Sequence, residues 1–397
     1  MNPVYDSNVI TRGAQPAFGH APTSPANAGV TTREWAQPFD ASARYALIGH
    51  ARGLAALAVL SFHSFGAEDV QPIWAPLEPL RAVASHGWLG VHVFFVLSGY
   101  CMSEKLASLA ATNRGPAHFL LDRAWRIYPA YWGALLVTIA LGIAAASMNT
   151  VGLAGAFPVN FRSLLADMLL FQPYLGTVGL LLVGWTLVCE TGFYAITALL
   201  FSGWRAGLGF GGVLCAGALL TAAVAHVPDR ATWMVLRLWP EFWVGMLVYG
   251  CTGPIWSERP RLRALCGAAI ALFGLLVVWQ PAGRFAGVHG AAVICAAGLV
   301  VLHRWDKPIA THPVTRWLGS VGVWSYSIYL IHGPLLSRWH NLVIHFAPAQ
   351  SPRYALLWLG SLVLGLVGAW FFYRIVEAPV EAWRHSLFRR RPATVSK

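Results

Sequence analysis

Charge is scarce in this chain. Only 11% of its 397 residues are Asp, Glu, Lys or Arg, against roughly 25% in a soluble globular domain, so an ordinary water-soluble fold is excluded. Cysteine is nearly as uninformative: the six residues (Cys101, Cys189, Cys215, Cys251, Cys266, Cys295) lie in or beside apolar runs, with no C-x-x-C pair and no histidine at ligand spacing. That excludes a disulfide scaffold and a zinc site, and no metal is expected. The first 44 residues lack the apolar core of a cleavable signal and are rich in Pro, Ala, Ser, Thr and Gly. They read as a disordered cytoplasmic tail. A fixed-period repeat is also missing, which removes the sequence cue for an inverted-repeat transporter.

What is present is hydrophobic: 57% of the chain, with 19 Trp and 20 Phe. Stretches long enough to cross about 30 Å of hydrocarbon fall near 46–65, 87–106, 127–147, 186–203, 206–225, 234–250, 264–280, 285–302, 318–335 and 354–373. The fold class expected is therefore all-α, a polytopic membrane bundle of about ten helices. A further apolar piece near 164–182 is broken by Gln172-Pro173 and Gly176 and reads as re-entrant or interfacial. With both termini inside, the inner segments carry 20 Lys and Arg and the outer segments seven, an asymmetry that predicts an N-in, C-in chain by the positive-inside rule. The net charge of +12 is spread between the spans, which fits membrane lipids and topology better than nucleic acid. Three parts are expected: the tail 1–44, a transmembrane domain 45–382, and a basic cytoplasmic tail 383–397.

The few polar residues within apolar runs form local patterns. Arg52 and His63 are separated by ten residues in the first span. Eleven steps of an α-helix make almost three turns, placing the two on one face and about 16 Å apart along the axis. Charge in a span costs at least a few kcal/mol and marks function. Gly87-Trp-Leu-Gly-Val-His92 followed by Phe94-Phe-Val-Leu-Ser-Gly99 opens the second span, and Arg123-Ala-Trp-Arg126 opens the third. Trp185-Thr-Leu-Val-Cys-Glu190, Ser325-Tyr-Ser-Ile-Tyr329 with His332-Gly-Pro334, and Glu377-Ala-Pro379 follow in order. Taken together over residues 45 to 382, this ordered set resembles the acyltransferase-3 family of integral membrane acyltransferases.

The resemblance implies a bundle of about ten helices in the cell inner membrane, acyl-CoA as donor from the cytoplasm, and a carbohydrate or glycolipid acceptor. The family's Arg-x10-His signature maps onto Arg52 and His63, its paired arginines onto Arg123 and Arg126, and its span-four Trp and Glu onto Trp185 and Glu190. Two departures stand out. Many members carry an acidic residue three before the first arginine and another after Gly-Val, where this chain has Gly49 and His92.

Acyl transfer from a thioester to a hydroxyl needs a base, donors for the tetrahedral oxyanion, and cations for the phosphates of CoA. His63 is the expected general base, because an imidazole exchanges protons near neutrality; its rival role is a core histidine bonded to a backbone carbonyl. Arg123 and Arg126, at i and i+3 on one helical face, are expected to bind CoA phosphates, with positive-inside anchoring as the rival. Arg52 is expected to orient the thioester or pair with Glu190, and Glu190 to orient His63 as in a dyad. Trp185 walls a ligand pocket or belongs to an aromatic belt. His332 meets the acceptor or caps a helix end. Glu241 contacts substrate or pairs with Arg237. Glu377 is expected to hold the inner helix ends by an ion pair. Ser98 and Cys101 read as packing residues. The reading is an O-acyltransferase, acetyl-specific, in which homo-oligomers remain open. One rival is a secondary transporter of a small anion or glycolipid with Arg52, His63 and Glu190 as coupling relay. Another is a glycosyltransferase using outer carboxylates such as Glu68, Asp69 and Glu78.

Overall fold

The computed structural model describes residues 45–66, 75–147, 161–181, 183–224, 233–279, 284–346 and 351–388. The expected N-terminal tail 1–44, residues Glu68 and Asp69, and the last nine residues lie outside this set. Helices α1 (Leu47–Ser61), α2 (Glu78–Ala84), α3 (Gly90–Ala111) and α4 (Pro116–Ser147) are followed by the short α5 (Phe161–Leu169) and α6 (Gln172–Leu175). Next come α7 (Gly184–Gly203), α8 (Gly209–Val224), α9 (Met234–Thr252), α10 (Pro260–Trp279) and α11 (Arg284–Leu302). The chain continues through α12 (Asp306–Thr311), α13 (Arg316–Val323), α14 (Ser325–Phe346), α15 (Pro352–Phe372) and α16 (Ala378–Phe388). Among the described residues there is no strand, so the chain is an all-α membrane protein. Among the described residues, five helical stretches are long and apolar enough to cross a bilayer: Ala75–Ala111, Pro116–Ala144, Gly184–Val224, Pro260–Trp279 and Pro352–Phe388.

Three details differ from the sequence expectation. The third span was expected to open near residue 127, but α4 begins at Pro116 and runs through Pro129 without ending. Pro116 stands at the first helical position, where the missing N–H and fixed φ favour initiation. Arg123 and Arg126 therefore lie about two turns inside the helix rather than at its mouth. The ninth apolar stretch, 318–335, is not continuous, because the backbone breaks at Trp324 between α13 and α14. Helix α16 runs across the boundary expected at 382, so Arg384 is helical.

The piece near 164–182 forms α5 and α6 with a left-handed turn at Gly176 (φ 62°). It is hooked onto α4, whose Tyr131 hydroxyl donates to the Asp167 carbonyl (2.9 Å) and whose Trp132 Nε1 donates to that of Met168 (3.0 Å). Burial raises the Asp167 carboxyl above its ordinary value, opposed by hydrogen bonds from Gln172 Nε2 and the Leu180 N–H.

Polarity is distributed as a membrane bundle requires. Leu54, Leu199, Leu219, Leu275, Ile294 and Leu356 are exposed on the outside, whereas Ser103, Asp122, Glu241, Ser325, Ser327 and His332 are sealed within. Without water to satisfy them, such groups must pair inside the protein. Helices α3 and α9 approach each other closely. A Cβ on Gly99 would stand 1.9 Å from the Phe242 carbonyl oxygen, and one on Gly245 1.9 Å from that of Val96. Small residues here let the two backbones touch, a recurrent solution in membrane packing.

Candidate active site

A cavity of about 120 Å³ opens between α1, α3, α4, α7 and α14. Helical periodicity brings its polar residues there. On α7, Thr186, Leu187, Glu190 and Tyr194 recur every three or four residues on one face, and on α3 Val91, Phe94, Phe95 and Ser98 do the same. Arg52, Arg123, Arg126, Ser325, Tyr326 and Tyr329 complete the polar part of the lining. Three guanidinium groups thus converge on one small space inside an apolar bundle.

Each cation is held differently. Arg52 Nε donates to Ser325 Oγ at 3.4 Å. Arg123 NH2 donates to Asp122 Oδ2 at 2.5 Å, and its buried Nε has no hydrogen-bond partner. Arg126 NH1 donates to Glu377 Oε1 at 2.9 Å and also to Glu381, with its guanidinium 5.1 Å from the Tyr326 ring. Glu377 in turn accepts from the Ser327 N–H (3.1 Å) and hydroxyl. It ties α4 to the start of α14, the helix-holding role expected of it. Glu190 accepts hydrogen bonds from Ser98 Oγ (3.2 Å) and from the Tyr194 hydroxyl.

Arg52 and His63 both meet α14, but not along a straight helix. After Ser61 the chain winds as a π-turn, Phe62–Gly66, so the 3.6-residue count fails before it reaches His63. The His63 ring packs 5.1 Å from that of His332, seven residues beyond the Ser325 that holds Arg52. His332 is fully buried and its Nδ1 lies 2.9 Å from the Ile328 carbonyl. A carbonyl only accepts, so Nδ1 carries the proton and Nε2 of the neutral ring is a lone-pair nitrogen. That Nε2 has no hydrogen-bond partner. Tyr329 joins the two regions: it lines the cavity, its ring is 6.0 Å from His332, and its hydroxyl is 2.6 Å from Thr186 Oγ1.

The structure therefore brings together Arg52, Arg123, Arg126 and Glu190 in one place, and His63 with His332 in another. None of the three expected substrate contacts, Trp185, His332 and Glu241, is in the cavity lining. Trp185, expected as a pocket wall, is 38% exposed because Thr186 and Leu187 occupy the inward phase of α7. Glu241 is wholly buried on α9 and receives hydrogen bonds from His92 Nδ1 (2.9 Å to both oxygens) and His289 Nδ1 (3.1 Å). The carboxylate absent after Gly-Val in α3 is thus supplied to His92 from another helix. Sequence reasoning missed Asp122, Tyr194, Tyr326, Tyr329 and Glu381. The spacing of Tyr326 and Tyr329 beside Ser325, and of Glu381 one turn after Glu377, was the available signal.

Three arginines and a glutamate thus line one cavity within a helical membrane bundle. The family follows from comparison: residues 46–374 match the model described as Acyltransferase domain, and the chain belongs to that acyltransferase-3 family. It is 27% identical over 317 residues to a protein named as the membrane-bound transacylase BcsY of Komagataeibacter xylinus, covering 73% of this chain and 75% of the relative. It is 30% identical over 268 residues to the exopolysaccharide production protein ExoZ of Rhizobium meliloti (62% and 75%), and 25% identical over 345 residues to the acyltransferase MdmB of Streptomyces mycarofaciens (80% and 86%). No solved structure matches the chain.

Proposed function

We propose that this protein is an inner-membrane O-acyltransferase with about ten spans and both ends in the cytoplasm, moving an acetyl group from cytoplasmic acetyl-CoA to a hydroxyl of a carbohydrate or glycolipid. The observation that carries this reading is the convergence of Arg52, Arg123 and Arg126 on one cavity, with a buried Arg123 Nε left without a partner. A buried unpaired donor costs about 1–3 kcal/mol, and an arginine fork fits phosphate oxygens. Arg123 and Arg126 bind the phosphates of CoA, and the apolar wall of Phe94, Phe95 and Leu97 takes the chain that leads to the thioester.

The acceptor comes from the opposite side, where His63 and His332 stand one aromatic ring beyond the cavity. His63 takes the hydroxyl proton as the oxygen attacks the thioester carbonyl. The tetrahedral intermediate then collapses to the ester, and the thiolate leaves and recovers that proton as CoA thiol. Arg52 faces the developing oxyanion, and the Tyr329 and Thr186 hydroxyl pair lies beside the same path. Relatives named for exopolysaccharide production and acyl transfer support a saccharide acceptor. Membranes containing the protein are expected to consume labelled acetyl-CoA and release thiol only with an acceptor glycan present. Thiol-independent, gradient-driven flux of a small anion would overturn the proposal.

A further inference from the structure

The cytoplasmic ends of α4, α14 and α16 carry a network of charge that the reaction as written does not use. Asp122, fully buried, accepts from Arg123 and from Arg384 NH1 (both 2.5 Å), with Lys105 Nζ at 3.0 Å. Glu381 on α16 holds Arg126 on α4, and Arg384 Nε donates to its other oxygen at 2.9 Å. Trp125 and Trp383 pack edge-on at 4.5 Å beside these pairs. Helix α16 is therefore fastened to α4 by Glu381 on Arg126, which faces the cavity, and by Arg384 on Asp122, the carboxylate that also holds Arg123.

The two carboxylates on Arg126 are not equivalent. Glu377 is nearly sealed, with 2% of its side chain exposed, and is fixed by the Ser327 N–H and hydroxyl. Glu381 is 20% exposed and sits on α16, the last described turns of a helical stretch that begins at Pro352. If α16 leaves, Glu381 and Arg384 go together as a pair that can reach water, Asp122 keeps Arg123 and Lys105, and Arg126 keeps Glu377. No buried charge is orphaned, the condition that makes breaking most buried pairs costly.

We propose that Glu381 is an affinity-setting residue for the anionic donor: its carboxylate competes with a donor phosphate for Arg126, and α16 shifts away from α4 when the phosphate wins. This rests on the reading that Arg123 and Arg126 bind the donor. Glu381 acts through Arg126, so it is a positioning residue rather than a catalytic one.

The test uses the full-length protein in membranes and reads the KM for acetyl-CoA. Glu381→Gln removes the competing charge at nearly constant shape. It is expected to lower that KM by about tenfold, the worth of one charge-assisted hydrogen bond, with the KM for acceptor unchanged. A purely structural Glu381 predicts the opposite sign, because loosening α16 disorders Arg126 and raises the donor KM. An unchanged or raised donor KM in Glu381→Gln, while Arg126→Ala raises it, overturns the proposal and leaves the donor reading standing. If Arg123→Ala and Arg126→Ala both leave the donor KM unaltered, the donor reading itself has failed. A second measurement does not depend on that variant folding. A Trp125→Cys, Trp383→Cys pair, cross-linked and read as the joined peptide by mass spectrometry, is expected to link several-fold less in saturating free CoA; undiminished linking overturns the shift of α16.

Discussion

Arg123→Ala is the cleanest probe of the proposed donor site because the other group that Arg123 holds, Asp122, keeps further cations. The guanidinium touches Asp122, but that carboxylate also has Lys105 and Arg384, so truncation leaves the buried acid paired and the bundle intact. Arg126→Ala is less clean, since Glu377 would lose its cation. What Arg123→Ala removes is the Nε donor without a partner and one charge at the cavity wall. A hydrogen bond to a charged group contributes about 1.5–3 kcal/mol, and about 1.36 kcal/mol corresponds to tenfold. The expected effect is a rise of roughly 10- to 150-fold in the KM for acetyl-CoA. Arg123→Lys should recover only part of it, because an ammonium keeps the charge but loses the fork. The assay is thiol release from membranes across a donor titration, with melting in detergent as a control for folding. Wild-type donor KM in Arg123→Ala, with unchanged melting, would refute the reasoning.

Other outcomes are equally concrete. His63→Ala should cut transfer by at least about a hundredfold, the lower end of what a general base contributes, without loss of protein from the membrane; normal transfer rates would remove His63 from the mechanism. Gly99→Val places a branched side chain where even a Cβ meets the Phe242 carbonyl at 1.9 Å. Melting in detergent should register a loss of about 1–3 kcal/mol or more, as for other overpacked sites, and an unchanged curve would contradict the close α3 to α9 contact. Burial raises the Asp167 carboxyl, so folding favours its neutral form. Its contribution to stability is present below the ordinary carboxylate range and is lost as pH rises through the raised value. Proteolysis of the segment 161–181 should therefore speed up with rising pH across that interval, and Asp167→Asn should flatten the response. Protection that grows with pH would count against this sign.

Much of the bundle was legible because lipid imposes a simple rule: apolar runs about 20 residues long become helices. Helix interruptions were harder to read. The break at Trp324 follows Gly319 and Gly322, and the π-turn after Ser61 ends at Gly66, but glycine is so common in the apolar runs of this chain that it does not single out these places. Pro129 misleads in the other direction, since a helix packed among others tolerates it. The arginines of the cavity were visible as charges that lipid would not keep without reason. Their partners were harder to read: Asp122 stands next to Arg123 in the chain, but Glu381 reaches Arg126 only when α16 returns to α4, across 255 residues. Trp185 shows the limit of motif spacing: one residue of helical phase decides whether a side chain faces a cavity or the surroundings.

The bond network of His92, Glu241 and His289 carries a practical consequence for building hybrids. Acid and base here sit on different helices from those the family pattern leads one to expect, so the residues at 92 and 241 form a matched set. A chimera that imports α3 from a relative bearing an acid after Gly-Val would set two carboxylates face to face in a dry interior. One that imports α9 without its glutamate would strand two imidazoles. Segments exchanged between members of this family should be cut so that both helices travel together.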